Sequence, residues 1–138
     1  MTTIIEIIED ALREINVISE VDSASDEQGS YGLRKLNQQM ALWQERDIDN
    51  LGWFPQDDTT NSSPIPDYAE LAVVTSLAVA LAPKYGASVS PELAAVAAGS
   101  MNTLLRKSIS EKLDNADMSH MPVGTGNAEG RYDIERDS

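Results

Sequence analysis

The stretch LAVVTSLAVALA, residues 71–82, decides the fold. Read as part of a helix from about Asp67 to Lys84, it is apolar nearly all round. No face of such a helix can be left to water, so other elements must enclose it and it becomes the central helix of its domain. Its alanines and Ser76 let neighbours approach closely. Pro83 and Gly86 end it near Tyr85.

Three further helical segments supply the enclosure. The fourth helix has the clearest start, Ser90-Pro91-Glu92. Serine caps, proline takes the first helical position and glutamate favours the dipole. Leu93, Val96, Ala97, Met101, Leu104 and Leu105 then line one side, to about Leu113. The first helix runs from about Thr3 to Val17. Thr3 and Glu6 have the spacing of a capping box, and Ile4, Ile5, Ile8, Leu12 and Ile15 recur at helical intervals. The second runs from about Asp26 to Arg46, with Leu33, Leu36, Met40 and Trp43 as a narrow apolar seam. Asp22, Ser23 and Ser25 are its candidate caps, and Gly29 and Gly32 are expected to weaken its first turn.

Residues 47–65, DIDNLGWFPQDDTTNSSPI, read as a loop because two prolines and clustered Asp, Asn and Ser interrupt them. A loop this long inside a compact domain is more often functional or partner-bound. Trp53 and Phe54 anchor it. The plainer account packs both onto the domain's own core; the other presents them to a neighbouring chain, where aromatics concentrate binding energy. From Asn115 onward, Gly, Pro and charge dominate and the apolar period is lost, so this segment alone is expected to be disordered. The fold expected is therefore all-α, a small helical bundle of about four helices over residues 1–114 with a long middle loop. Residues 115–138 form an extended C-terminal arm.

Composition narrows the chemistry. The chain has 138 residues, enough for one domain with a real core, and no cysteine, which excludes disulfides and thiolate metal sites. His120 is the sole histidine, which argues against a histidine-pair zinc site or a Ser-His-Asp triad. The formal net charge is −13, of which residues 1–70 carry −11 and residues 71–138 carry −2. A basic nucleic-acid-binding face is disfavoured, because nothing here would displace counterions from phosphates. An acidic surface could still border a DNA passage by repelling the backbone, although acidity for solubility is the plainer account. The N-terminal MTTIIEIIEDALREI lacks a basic leader region and a cleavage site, and the longest apolar stretch is too short to span a bilayer. A soluble protein with no membrane partner is expected.

Met121-Pro122-Val123-Gly124-Thr125-Gly126-Asn127 superficially resembles a phosphate-cradling loop. A dinucleotide fingerprint needs G-x-G-x-x-G between a strand and a helix, whereas Gly124, Gly126 and Gly130 are one residue too far apart and lack that context. No Gly-Lys-Ser/Thr is present. Asp57–Asp58 lacks the spaced oxygen ligands of a calcium loop and reads as a solvated turn. Glycosidase chemistry needs only two carboxylates about 5–9.5 Å apart, but with so many acids on solvated helix faces no pair stands out. Glu70, at the edge of the most buried helix, is the first to consider, and a first-turn residue favoured by the helix dipole is its better account. No catalytic residue, metal site or cofactor is assigned; an assembly module remains.

Four features, in order along the chain, resemble one family. They are Ala11-Leu12-Arg13-Glu14-Ile15-Asn16-Val17, the run LNQQMALWQERDI at residues 36–48, Leu81-Ala82-Pro83-Lys84-Tyr85, and Met121 to Asn127, close to Met-Pro-x-Gly-x-Gly-Asn. The chain resembles the tail accessory factors of short-tailed, lambdoid-type bacteriophages, also called packaged-DNA stabilisation or head-to-tail connector proteins. The resemblance implies a structural virion protein, made in the host cytoplasm. Copies would form a dodecameric ring beneath the portal protein, extend the DNA channel, retain packaged DNA and offer a platform for tail hub, nozzle or needle proteins. Packaged DNA would pass through without sequence-specific binding. Met121, Pro122, Val123, Gly124, Thr125, Gly126 and Asn127 would dock on the portal, with helix faces making the ring. Some members are associated with peptidoglycan cleavage, for which no residue pattern is identifiable here; that activity and a non-viral helical adaptor are the alternatives.

Overall fold

A computed structural model describes residues 2–48 and 51–115. Four α-helices lie among them: α1 (Ile4–Glu14), α2 (Asp26–Glu45), α3 (Asp67–Tyr85) and α4 (Pro91–Asn115). The expected all-α bundle is the observed one, and no β-strand is present among the described residues. No helix among them is long and apolar enough to cross a membrane. The expected C-terminal arm, apart from Asn115, lies outside the described residues.

Local chemistry sets most helix starts. Thr3 and Glu6 form a reciprocal capping box on α1, with Thr3 N–H donating to Glu6 Oε1 at 2.8 Å. Ser25, one of the candidate caps, makes the equivalent box with Gln28 on α2. Ser90 Oγ accepts from Leu93 N–H at 3.0 Å to open α4. Each such cap satisfies N–H groups that the helix itself cannot.

Three helices end alike. After α1, Asn16 turns left-handed (φ 60°) and Val17 N–H returns to Leu12 O at 2.9 Å. After α2, Asp47 does the same (φ 69°), with Ile48 N–H to Trp43 O. After α3, Gly86 (φ 64°) precedes Ala87 N–H to Ala82 O. This turn satisfies the last carbonyls and normally favours glycine. Asn16 therefore stops α1 earlier than its apolar spacing suggests, at Glu14 rather than Val17.

The central role expected for the third helix holds in α3, which packs against α1, α2 and α4. Val73, Leu77, Ala78 and Leu81 are wholly buried. Thr75 is buried too, and its hydroxyl donates to Leu71 O within the helix at 2.8 Å, so no polar group is stranded. The enclosure is nonetheless incomplete: Tyr68 and Leu71 remain half or more exposed. α4 runs back along α3, placing Lys107 Nζ 4.8 Å from the centre of the Tyr68 ring and Ala94 and Ala97 near Val79.

The link after α1 doubles back along that helix. Arg13 donates to Ser19 O and Asp22 O, and Ala24 N–H donates to the Glu9 carboxylate. α2 thereby begins beside Ile5 and presses on α1. A methyl group on Gly32 would sit 2.5 Å from Ile8 Cγ2, whereas one on Gly29 would meet Ile5 Cδ1 at an ordinary 3.5 Å. Gly32 is a point of close approach, and whatever helix propensity it costs, it lets α1 and α2 pack. A polar tie joins α4 to the end of α2: wholly buried Ser108 donates to Asp47 O, and Lys112 Nζ lies 3.3 Å from Asp47 Oδ1.

The two glycines should respond oppositely to alanine. Gly29→Ala removes a helix-interior glycine into tolerated space and should stabilise by about 0.5–1 kcal/mol. Gly32→Ala gains the same propensity but collides near the stem of Ile8, and should destabilise by about 1–3 kcal/mol. Urea unfolding of the two variants checks the sign of each effect.

Candidate functional site

From Trp53 to Ser63 the long middle loop is tied to the helices. Asn37, on α2, grips Gln56 twice: its amide donates to Gln56 O at 2.8 Å and its oxygen accepts from Gln56 N–H at 3.0 Å. One helical flank further on, Gln44 donates to Trp53 O. The buried Gln56 side chain donates to Phe54 O and accepts from Asn61. The loop then crosses the start of α1, where Thr59 O and Asn61 O accept from Ile5 and Ile4 N–H at 2.8 and 3.0 Å. Helix N-terminal donors that would otherwise need water are thus satisfied by loop carbonyls.

This path separates the two aromatics. Trp53 is 8% exposed and belongs to the hydrophobic core, whereas Phe54 is 59% exposed. Phe54 is held outward by a backbone whose neighbours on both sides are clamped to α2. Asp58 accepts from the N–H and hydroxyl of Thr60, which hold its carboxyl below its usual range, and the pair forms the turn expected there.

Three surfaces of different chemistry surround the core. A cleft of about 850 Å³ is lined by Asp10, Glu14, Glu20 and Glu70, with Arg13 among them. Away from it, Tyr31 gathers cations: Lys84 Nζ, Lys35 Nζ and Arg34 Cζ lie 5.1, 5.7 and 5.8 Å from its ring centre. Tyr85 meets that ring edge-on at 6.3 Å, and burial, followed by proximity to Tyr31, pushes its hydroxyl pKa up. Asp26 and Glu27 line the same surface, so cations and carboxylates meet there. The third is an apolar groove of about 450 Å³ between α3 and α4, walled by Tyr68, Leu71, Val96 and Leu104.

Among the described residues no three His, Asp or Glu side chains are grouped to hold a metal ion. Met121 to Asn127, the docking stretch named from sequence, lies outside the described residues, as does His120. The residues that sequence reasoning missed are Asn37, Gln44 and Ser108. Asn37 and Gln44 are seven apart, hence on one face of α2, and that spacing of side-chain amides beside a long polar loop was the available signal.

A family model described as P22 tail accessory factor matches residues 1–136, the helical core and the Met121–Asn127 stretch together. No curated protein matches the chain.

Two tests follow from the clamped loop. Asn37→Ala removes both bonds to Gln56 and should destabilise by about 1–3 kcal/mol, with faster amide exchange from Phe54 to Gln56. Exchange unchanged in that segment would show that other contacts hold the loop. The second concerns pH. Bonds from the Thr3 backbone and hydroxyl hold the Glu6 carboxyl below its ordinary value of 4.5. A depressed carboxylate stabilises the fold above its unfolded pKa, and that contribution is lost as pH falls through the folded value. The advantage of wild type over Glu6→Gln in thermal melts should therefore shrink below about pH 4.5 and be flat above about pH 6.

Proposed function

The chain belongs to the family of P22 tail accessory factors, and from that premise we propose that it acts in the head-to-tail connector of a bacteriophage. In this reading copies assemble as a ring under the portal protein, extend the DNA channel, retain packaged DNA and form the platform on which tail proteins build. Met121 to Asn127 docks on the portal. The observation that carries the reading is a division of labour within the chain. The helical core closes on itself by Asn115, with its own capped helices and a continuous apolar interior. Met121–Asn127 follows it in the sequence, and none of the core's own contacts among the described residues calls on it. Met121 and Val123 supply apolar anchors, while Gly124 and Gly126 permit backbone conformations closed to other residues. The charge of −11 on residues 1–70 suits a wall past which DNA slides without being gripped.

Cleavage of peptidoglycan during entry is a second reading, and the shared cleft of Asp10, Glu14, Glu20 and Glu70 is the observation in its favour. Cleavage of cell walls needs two of these carboxylates at a suitable separation. Purified walls incubated with the protein at several pH values decide it, and no release of fragments at any pH removes it.

The connector reading is tested by mass. The protein alone should be a monomer and should become a ring only when mixed with portal rings. A chain truncated after Asn115 should remain a folded, helical monomer yet fail to bind the portal; normal binding would sink the docking assignment. Gly124→Val should weaken portal binding with little change in melting temperature.

A further inference from the structure

Gly99 stands in the interior of α4, and nothing in the described core requires it. A methyl group there would meet no atom within 4 Å, and its backbone is helical, so alanine would fit and would favour the helix more. It forms the floor of the apolar groove between α3 and α4. The hydroxyls beside it are already used: Ser100 Oγ donates to Val96 O at 2.6 Å and Thr103 Oγ1 to Gly99 O at 3.0 Å. The floor is therefore apolar despite its composition, and its walls are the exposed Tyr68, Leu71 and Val96. A bare backbone beneath exposed apolar walls is the arrangement that lets another backbone approach closely.

We propose that this groove seats the protein's own C-terminal segment. Met121 lies against Leu71, the Val123–Gly124 backbone passes over Gly99, and Thr125 reaches Val96. Three observations favour this occupant. From Val96 to Lys107 the groove follows about 16 Å of helix. Its volume of about 450 Å³ over that length leaves a trough as wide as an extended chain, well short of the 10 Å or more that a helix with side chains requires. The groove also runs toward the C-terminal end of α4, from which the segment departs. Finally, the lengths agree. Thr103 and Gly99 lie about 18 and 24 Å back along α4 from Asn115, and an extended chain covers about 20 Å by Met121 and about 30 Å by Gly124. The proposal rests on reading Met121–Asn127 as an apolar docking peptide. It adds that the peptide is sheltered on its own core before assembly, so that groove and portal compete for it.

The absence of cysteine makes the test direct. In the full-length chain, Val96→Cys with Thr125→Cys places one thiol in the groove and one on the segment. Ala95→Cys with Thr125→Cys is the control, because exposed Ala95 is equally far from Asn115 but outside the groove. Under mild oxidation at micromolar protein, the groove pair should form an intramolecular disulfide roughly tenfold or more faster than the control, through the higher effective concentration of a seated segment. Gly99→Leu, which fills the floor, should abolish the difference; circular dichroism checks that each variant folds. Equal rates for the two pairs would overturn the proposal. Disulfides forming only between copies would also overturn it and assign the groove to a second molecule. Portal binding of the chain without cysteines is measured separately, so loss of the portal reading and loss of the seated segment are distinct results.

Discussion

α3 has no polar face to give to water, and the rest of the molecule is arranged around that constraint. α1, α2 and α4 each bury part of it, and each must come close because its surface is built of alanine, valine and leucine rather than long side chains. Close packing in turn demands small residues on the neighbours. Ala97 on α4 is one answer. Gly32, which lets α1 and α2 meet while both still face the core, is another. Burial of each large aliphatic side chain contributes about 1.5–3 kcal/mol, so wholly buried Ile4, Ile7, Ile8 and Leu12 on α1 make that helix a major part of the enclosure.

The polar interactions then decide where the ends of these helices go. Arg13 and Glu9 fold the first link back along α1, which is why α2 begins beside Ile5. Asn37 and Gln44 lay the middle loop along α2, and its carbonyls meet the start of α1. Ser108 fastens α4 to the turn that ends α2. None of these bonds is strong by itself. Each removes a buried or terminal backbone group that would otherwise be unsatisfied, and that is where their contribution lies.

What was legible in the sequence was whatever depends on neighbours along the chain. Thr3 with Glu6, Ser90-Pro91-Glu92 and Pro83 with Gly86 signalled their boundaries because caps and breakers act within one turn. The end of α2 was read within a residue, at Arg46, whereas α1 was drawn on to Val17, because apolar spacing continues through Ile15 and an asparagine marks a left-handed helix end less plainly than a glycine does. Gly32 read as a weak point because the residue it accommodates, Ile8, is distant in sequence. The loop residues Trp53 and Phe54 could be nominated together but not told apart, for their different exposure depends on the amides of α2. Met121–Asn127 was legible as a motif through the order of its residues, a kind of signal that does not depend on packing at all.

The distribution of surface chemistry bears on how such a protein assembles. Six of the nine large apolar side chains exposed among the described residues lie on α3 and α4, and none lies on α1. The carboxylates concentrate on the other side of the chain's order, in its first half. Free copies carrying a charge of −13 repel one another, and that repulsion weakens association through the α3–α4 edge. Association through that edge therefore strengthens as salt screens the charge, and weakens as salt is removed.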